Sequence, residues 1–265
     1  MGVVSDAARR LSDDVGENLR FFTRLPLWPG LPMTPDFRRI GWASPLAGAC
    51  VGALGAFVLI VARAANLPSL IAATLAVAVQ VLATGALHED GLADCADGFG
   101  GGRDRESKLA ILRDSRIGTY GAAALTLSLL LRVAAVASLA RPSAAYGGAA
   151  LLLAGAIARG AALAPLVWLP PARRDGAGAS ASTYAPKSLR PAAATTAALA
   201  LLLGFGWLGV VRALFAFVVA AAAARLFAEQ ARRQIGGQTG DVCGASAALA
   251  EIVTLLALLI GGRDA

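Results

Sequence analysis

The sequence predicts an all-α, polytopic integral membrane protein of about seven transmembrane helices, six being the alternative count, with an N-terminal amphipathic helix at the interface. Three observations lead there. Of 265 residues, 57% are hydrophobic and 15% charged, with a mean hydropathy of +0.65, whereas soluble domains carry about a quarter charged residues. Apolar runs of about twenty residues recur, the length a helix needs to cross roughly 30 Å of hydrocarbon. Lysine and arginine gather in alternate loops, the pattern of loops that face the cytoplasm.

Residues 1–41 read as an amphipathic, interfacial segment and 42–265 as the transmembrane, catalytic domain. In the first, Leu11, Val15, Leu19 and Phe22 recur at helical spacing beside charges, as in a helix lying on a membrane. Spans are expected at 42–62, 69–87, 119–140, 147–169, 192–206, 210–228 and 245–260. The fifth and sixth are parted only by the "GFGWLG" turn, which is why six remains open.

With the N-terminus inside, the inner loops hold Arg9, Arg10, Arg20, Arg24, Arg38 and Arg39, then Arg103, Arg105, Lys108, Arg113 and Arg116. Arg173, Arg174, Lys187 and Arg190 follow, and then Arg225, Arg232 and Arg233. The outer side keeps only Arg63, Arg141, Arg212 and Arg263. This places the N-terminus in and the C-terminus out. The net charge of +7 is spread over those loops rather than gathered in one domain, so anionic lipid and phosphorylated substrates explain it and nucleic acid does not. Cys50, Cys95 and Cys243 form no CxxC pair, which argues against a disulfide framework or thiolate zinc site. The start lacks the apolar core of a cleaved signal and, with Asp6, the Ser or Thr of a myristoylation site.

The second span leads into "HEDGLADCADGFGGGRDRE", residues 88–106, with the chain's single histidine. If the helix continues, Asp90, Asp94 and Asp97 recur at i, i+4 and i+7 and share about 60° of arc. Three anions so close repel unless a cation sits among them, and oxygen-only ligands favour Mg²⁺, which bridges to substrate phosphates. Gly91 and Gly98 leave backbone uncovered for a bulky ligand. "GFGGG" fits neither a dinucleotide fingerprint nor a P-loop and is expected to be a turn folding the chain back over the metal.

In "RDRESKLAILRDSRIGTYG", Leu109, Leu112 and Ile117 are expected to anchor a short helix. That leaves Arg105, Lys108, Arg113 and Arg116 free to neutralise a pyrophosphate. With Asp114 and Ser115 of the same segment, these are the candidate substrate-binding residues. A second polar knot, "RRQIGGQTGDVCGA", brings Asp241 to the same membrane face as a fourth candidate metal ligand. Within the spans, Arg132, Arg159 and Glu251 each cost roughly 2.5–3.5 kcal/mol unless partnered. Arg159 and Glu251 lie at depths that permit an ion pair.

The acidic stretch, "FFTRLPLW" and "GGQTGDVCGA" together resemble the adenosylcobinamide-GDP ribazoletransferase, or cobalamin synthase, family over essentially the whole chain. The resemblance implies a Mg²⁺-dependent inner-membrane enzyme joining adenosylcobinamide-GDP to α-ribazole or its 5′-phosphate and releasing GMP. In that reaction Asp90, Asp94, Asp97 and Asp241 hold the metal, Arg113 and Arg116 hold the pyrophosphate, and either His88 or Asp97 is the base. Glu89 stands where the family usually has Leu, and Cys95 where Thr is commoner. "STYAPKSL" matches too loosely to carry any residue across. Two other readings differ in class. A CDP-alcohol phosphotransferase wants a DGxxAR stretch and a further aspartate pair that this chain lacks, and a cation transporter wants carboxylates near mid-bilayer. Homo-oligomerisation is left open.

Overall fold

The computed structural model of the protein describes residues 2–26, 30, 36–173 and 188–260. Leu27 and Trp28 of "FFTRLPLW", Arg174, Lys187, Arg263 and most of "STYAPKSL" lie outside them. The described chain is helical: α1 (Gly2–Phe22), α2 (Phe37–Ile40), α3 (Ser44–Ala64), α4 (Ser69–Thr84), α5 (Leu87–Gly101) and α6 (Arg105–Ile111). After these come α7 (Thr119–Leu139), α8 (Ala144–Ala162), α9 (Ala164–Trp168), α10 (Leu189–Leu203), α11 (Val210–Ile235) and α12 (Gly240–Leu259). Among the described residues the one extended pairing outside helices is an isolated bridge between Pro171 and Gln238.

Among the described residues, six helices are long and apolar enough to cross a membrane, and a seventh crossing is available if α4 and α5 count as one span bent by 87°. The bend departs from the continuous second helix that the sequence suggests. Gly85 (φ 63°) and Ala86 (φ 58°) are both left-handed. Their amides donate to Leu82 O at 3.2 Å and Val81 O at 2.9 Å, a Schellman-type stop that satisfies the last carbonyls of α4. At 16 residues, α4 is about 24 Å long and falls short of a full crossing alone. Between α10 and α11 the chain reverses at Gly209 (φ 80°), inside "GFGWLG" as the sequence suggests, after a π-turn over Gly204–Leu208.

Helices α8 and α12 form the buried centre, while α7, α10 and α11 lie at the periphery. There Leu130, Leu202, Phe205, Val211, Val218 and Leu226 are exposed, the inverse of a soluble fold because hydrocarbon is the solvent. Along α3, Gly48 and Gly52 press against the backbone of α8 at Gly155 and Leu151, leaving no room for a side chain. Small residues let two membrane helices approach this closely and gain dispersion contact.

Hydrogen bonds gather the ends that carry the polar motifs. Arg24 N donates to Ala83 O (2.7 Å), while Ala172 N and Gln238 N exchange bonds with Gln238 O (2.8 Å) and Pro170 O (2.9 Å). The segment after α1 therefore meets the end of α4, and the segment after α9 meets the turn between α11 and α12. Helix α1 itself is docked, burying Leu19 and Phe22. Its Asp14 and Glu17 pair with Arg39, and Trp42 Nε1 donates to Asp14 at 3.0 Å. Asn18 donates to Ile40 O at 3.0 Å and accepts from Ser44 Oγ at 2.6 Å. Leu11 and Phe21 remain exposed on this helix.

Candidate active site

Helix α5 carries the acidic stretch and packs between α7 and α12. Its crossing with α12 is set by two glycines. A methyl group on Gly91 would lie 2.7 Å from Asp241 O and 3.2 Å from Gly244 Cα, so only glycine permits this approach. The crossing surrounds Asp94 with the negative charges of Asp90, Asp241 and Asp97 and the positive charge of Arg173. Asp90 is exposed, and Asp94 and Asp241 are half-buried. The carboxylate of Asp241 accepts from Thr239 Oγ1 at 3.1 Å and from Arg173 Nη2 at 3.5 Å. Thr239 also caps α12, accepting from Val242 N at 3.3 Å.

Several expectations need correcting here. Gly91 opens the backbone to α12 rather than to a ligand, and Gly98 faces the side chain of Leu112. "GFGGG" is not a turn over the metal: α5 stays helical through Gly101, and Gly102 is the first extended residue. Leu112 is buried as an anchor, but Ile117 is 57% exposed.

Asp97 has a different occupation from its neighbours. Its oxygens accept from Gly118 N at 2.7 Å and Gly121 N at 2.9 Å, the unpaired amides at the start of α7, where a helix favours negative charge. Both oxygens thus help to anchor α5 to α7.

His88 is buried, its ring 5.9 Å from that of Phe22, and its Nε2 has no hydrogen-bond partner among the described residues. Beside it Glu89 pairs with Arg132 of α7. Arg132 also reaches Glu251 of α12 at 2.7 Å, and Glu251 reaches Arg159 of α8 at 3.3 Å. The Arg159–Glu251 pair expected from depth is present, Arg132 joins it, and Glu89 gains a partner. Two guanidinium and two carboxylate groups form a neutral cluster, the condition for keeping such charges in an apolar interior.

The basic segment is less free than its sequence suggests. Arg105 Nε donates to Ile235 O at 2.9 Å and its Nη2 to Ala172 O at 2.6 Å, clasping the end of α11 to the segment before Arg173. Lys108 donates to Gln234. Arg116 makes an ion pair with Asp114 at 2.6 Å and holds that carboxyl down to about 2, so the pair persists through neutral pH. Arg113 and Ser115 are exposed. Arg173 is the site residue that sequence reasoning passed over. It sits 68 positions before Asp241, and its only signal was membership of a basic loop.

Among the described residues, no three or more His, Cys, Asp or Glu side chains form a ready-made metal shell. The donor set around Asp94 is open and made of carboxylates, with Asp90 facing solvent. That chemistry suits Mg²⁺, which retains waters and completes its shell with substrate phosphates.

A family model described as cobalamin-5-phosphate synthase matches residues 16–259. Proteins named adenosylcobinamide-GDP ribazoletransferase resemble the chain along nearly all its length. That of Azorhizobium caulinodans is 48% identical, covering 96% of this chain and 98% of its own. That of Xanthobacter autotrophicus is 48% identical, with 95% and 97% covered, and one from Sinorhizobium sp is 45% identical, with 98% and 99% covered. No solved structure matches the chain.

Proposed function

The chain belongs to the cobalamin-5-phosphate synthase family and is a multi-pass membrane enzyme of cobalamin biosynthesis. From that premise we propose that it joins adenosylcobinamide-GDP to α-ribazole or α-ribazole 5′-phosphate, giving adenosylcobalamin or its 5′-phosphate and GMP. The observation that carries this reading is the carboxylate group around Asp94, drawn from two segments more than 140 residues apart to one helix crossing with Arg173 beside it.

In the proposed reaction a ribazole hydroxyl oxygen bonds to the phosphorus attached to the cobinamide aminopropanol arm. The bond from that phosphorus to the bridging oxygen breaks, and GMP departs with that oxygen. Asp94 and Asp241, with Asp90 at the open side, would hold Mg²⁺, which when bound offsets charge on the phosphates. Arg173 orients Asp241 and adds positive charge at the rim. Arg113 and Arg116 stand on the exposed loop after α6 to receive the pyrophosphate. His88 is enclosed by Phe22 and the buried arginines, and Asp97 is held by α7. The hydroxyl proton therefore leaves to solvent at the open side of the site, where Asp90 is exposed, rather than to either.

We further place the site on the cytoplasmic side of the inner membrane, N-terminus in and C-terminus out, with the exposed face of α1 at the interface. The concentration of Arg and Lys at the site end supports this orientation. Family membership displaces the CDP-alcohol phosphotransferase and cation-transporter readings.

The test uses the protein purified into lipid with Mg²⁺. Adenosylcobinamide-GDP and α-ribazole should together yield GMP and a cobalamin, each substrate alone should not, and chelation should stop turnover. Turnover of CDP-diacylglycerol in place of this pair would overturn the reading.

A further inference from the structure

Helices α5 and α12 approach closely where Gly91 meets Gly244, and beside that contact Leu92 and Cys95 of α5 share a buried cluster with Val242, Ala245 and Ala248 of α12. Such small-residue packing holds two membrane helices together. The separation of Asp90 and Asp94 from Asp241 depends on the register of these two helices.

The register is held at the two ends of the acidic stretch. At one end Asp97 is bonded to the amides of Gly118 and Gly121. At the other, eight residues or about 12 Å away, Glu89 adjoins Asp90 and grips Arg132, and Arg132 grips Glu251. Glu251 lies on α12, the helix that carries Asp241, about 15 Å further along. The chain Glu89–Arg132–Glu251 therefore ties the acid-bearing helix to the helix bearing its partner acid, by way of a side chain on α7. Glu89, Arg132 and Glu251 are each buried, so water does not compete for these bonds.

We propose that Glu89 is a positioning residue: through Arg132 and Glu251 it sets the distance between the Asp90–Asp94 face and Asp241, and so the affinity of the cation site, without touching substrate. The proposal rests on the reading of Asp90, Asp94 and Asp241 as a cation shell.

The test is a Mn²⁺ titration of the lipid-embedded protein followed by electron paramagnetic resonance, with Mn²⁺ alone as the probe, beside thermal unfolding and steady-state kinetics. Glu89→Leu should weaken Mn²⁺ binding about tenfold and Glu89→Gln, which keeps an acceptor, about threefold. KM for adenosylcobinamide-GDP at saturating metal should stay near that of the parent, and excess metal should restore most of kcat. If Glu89→Leu fails to fold, Glu89→Gln decides. Variants that bind Mn²⁺ as the parent does, whether or not their unfolding temperature falls, would reduce Glu89 to a structural role and overturn the proposal. A parent protein that binds Mn²⁺ no better than Asp94→Asn would instead overturn the cation site itself, and this inference with it.

Discussion

Two glycine-lined helix crossings in this bundle look alike in the backbone and differ in what surrounds them. Where α3 meets α8, Gly48, Gly52 and Gly155 bring two helices together with the backbone of Leu151 against Gly52 and the stem of Arg159 beside Gly48, and with no carboxylate at the contact. Where α5 meets α12, Gly91 and Gly244 do the same, but Asp90, Asp94 and Asp241 ring the contact and a charge cluster stands behind it. Close approach at the first crossing gains packing. At the second it brings like charges together, a repulsion that Arg173 offsets in part and that a bound cation would offset further.

The sharpest way to separate the crossings is to remove charge from one. Asp94→Asn should lower turnover about a thousandfold, measured as GMP release in lipid, with membrane insertion and unfolding temperature near those of the parent. Retained turnover would leave the second crossing no different in kind from the first.

Adding one methyl group to each tests the same contrast with matched chemistry. Gly91→Ala should displace α5 from α12 and reduce kcat about a hundredfold, the cost of misplacing a reacting group by about 1 Å. Gly52→Ala should destabilise the fold by about 1–3 kcal/mol through overpacking while leaving kcat of the folded fraction unchanged. Thermal unfolding and turnover per folded molecule, measured on both, read the two effects separately.

Arg105 tests whether the basic segment supports the site or meets the substrate. Its guanidinium is committed to two backbone carbonyls, so Arg105→Met should cost about 1.5 kcal/mol and a few degrees in unfolding temperature. KM for the pyrophosphate substrate should change little, in contrast to Arg113→Met. A large rise in KM with unchanged stability would return Arg105 to the substrate-binding set.

The smallest effect concerns the bend that presents α5. Ala86 is left-handed, a conformation that disfavours a residue with a Cβ by about 1 kcal/mol. Ala86→Gly should therefore raise stability by about that much without altering turnover, as read by unfolding temperature and GMP release.

Much of the architecture was legible because it depends on local composition. A run of apolar residues meets hydrocarbon wherever it lies, so six expected spans reappear as crossing helices, and "GFGWLG" breaks where glycine admits φ 80°. The second span was misread at its end because an apolar run carries no mark of direction. Only the left-handed pair Gly85–Ala86 turns it by 87°. The glycines of "GFGGG" suggested a turn on propensity alone, yet they lie in a helix. Contacts such as the ring of Tyr120, 2.8 Å from where a Cβ on Gly100 would stand, need a glycine there.

The sequence by itself determined the membrane solvent, the family and the acids at the helical spacing of Asp90, Asp94 and Asp97. All three follow from residue identity and separations within one element. The tertiary structure alone decided what those acids face, holding Asp97 on α7 and placing Asp241 and Arg173 beside Asp94. It also assigned Arg105 to a clasp and gave Glu89 the partner Arg132, 43 positions away. These assignments rest on bonds between residues far apart in the chain, and a carboxylate or guanidinium has no fixed role until folding chooses which charge or backbone dipole it faces.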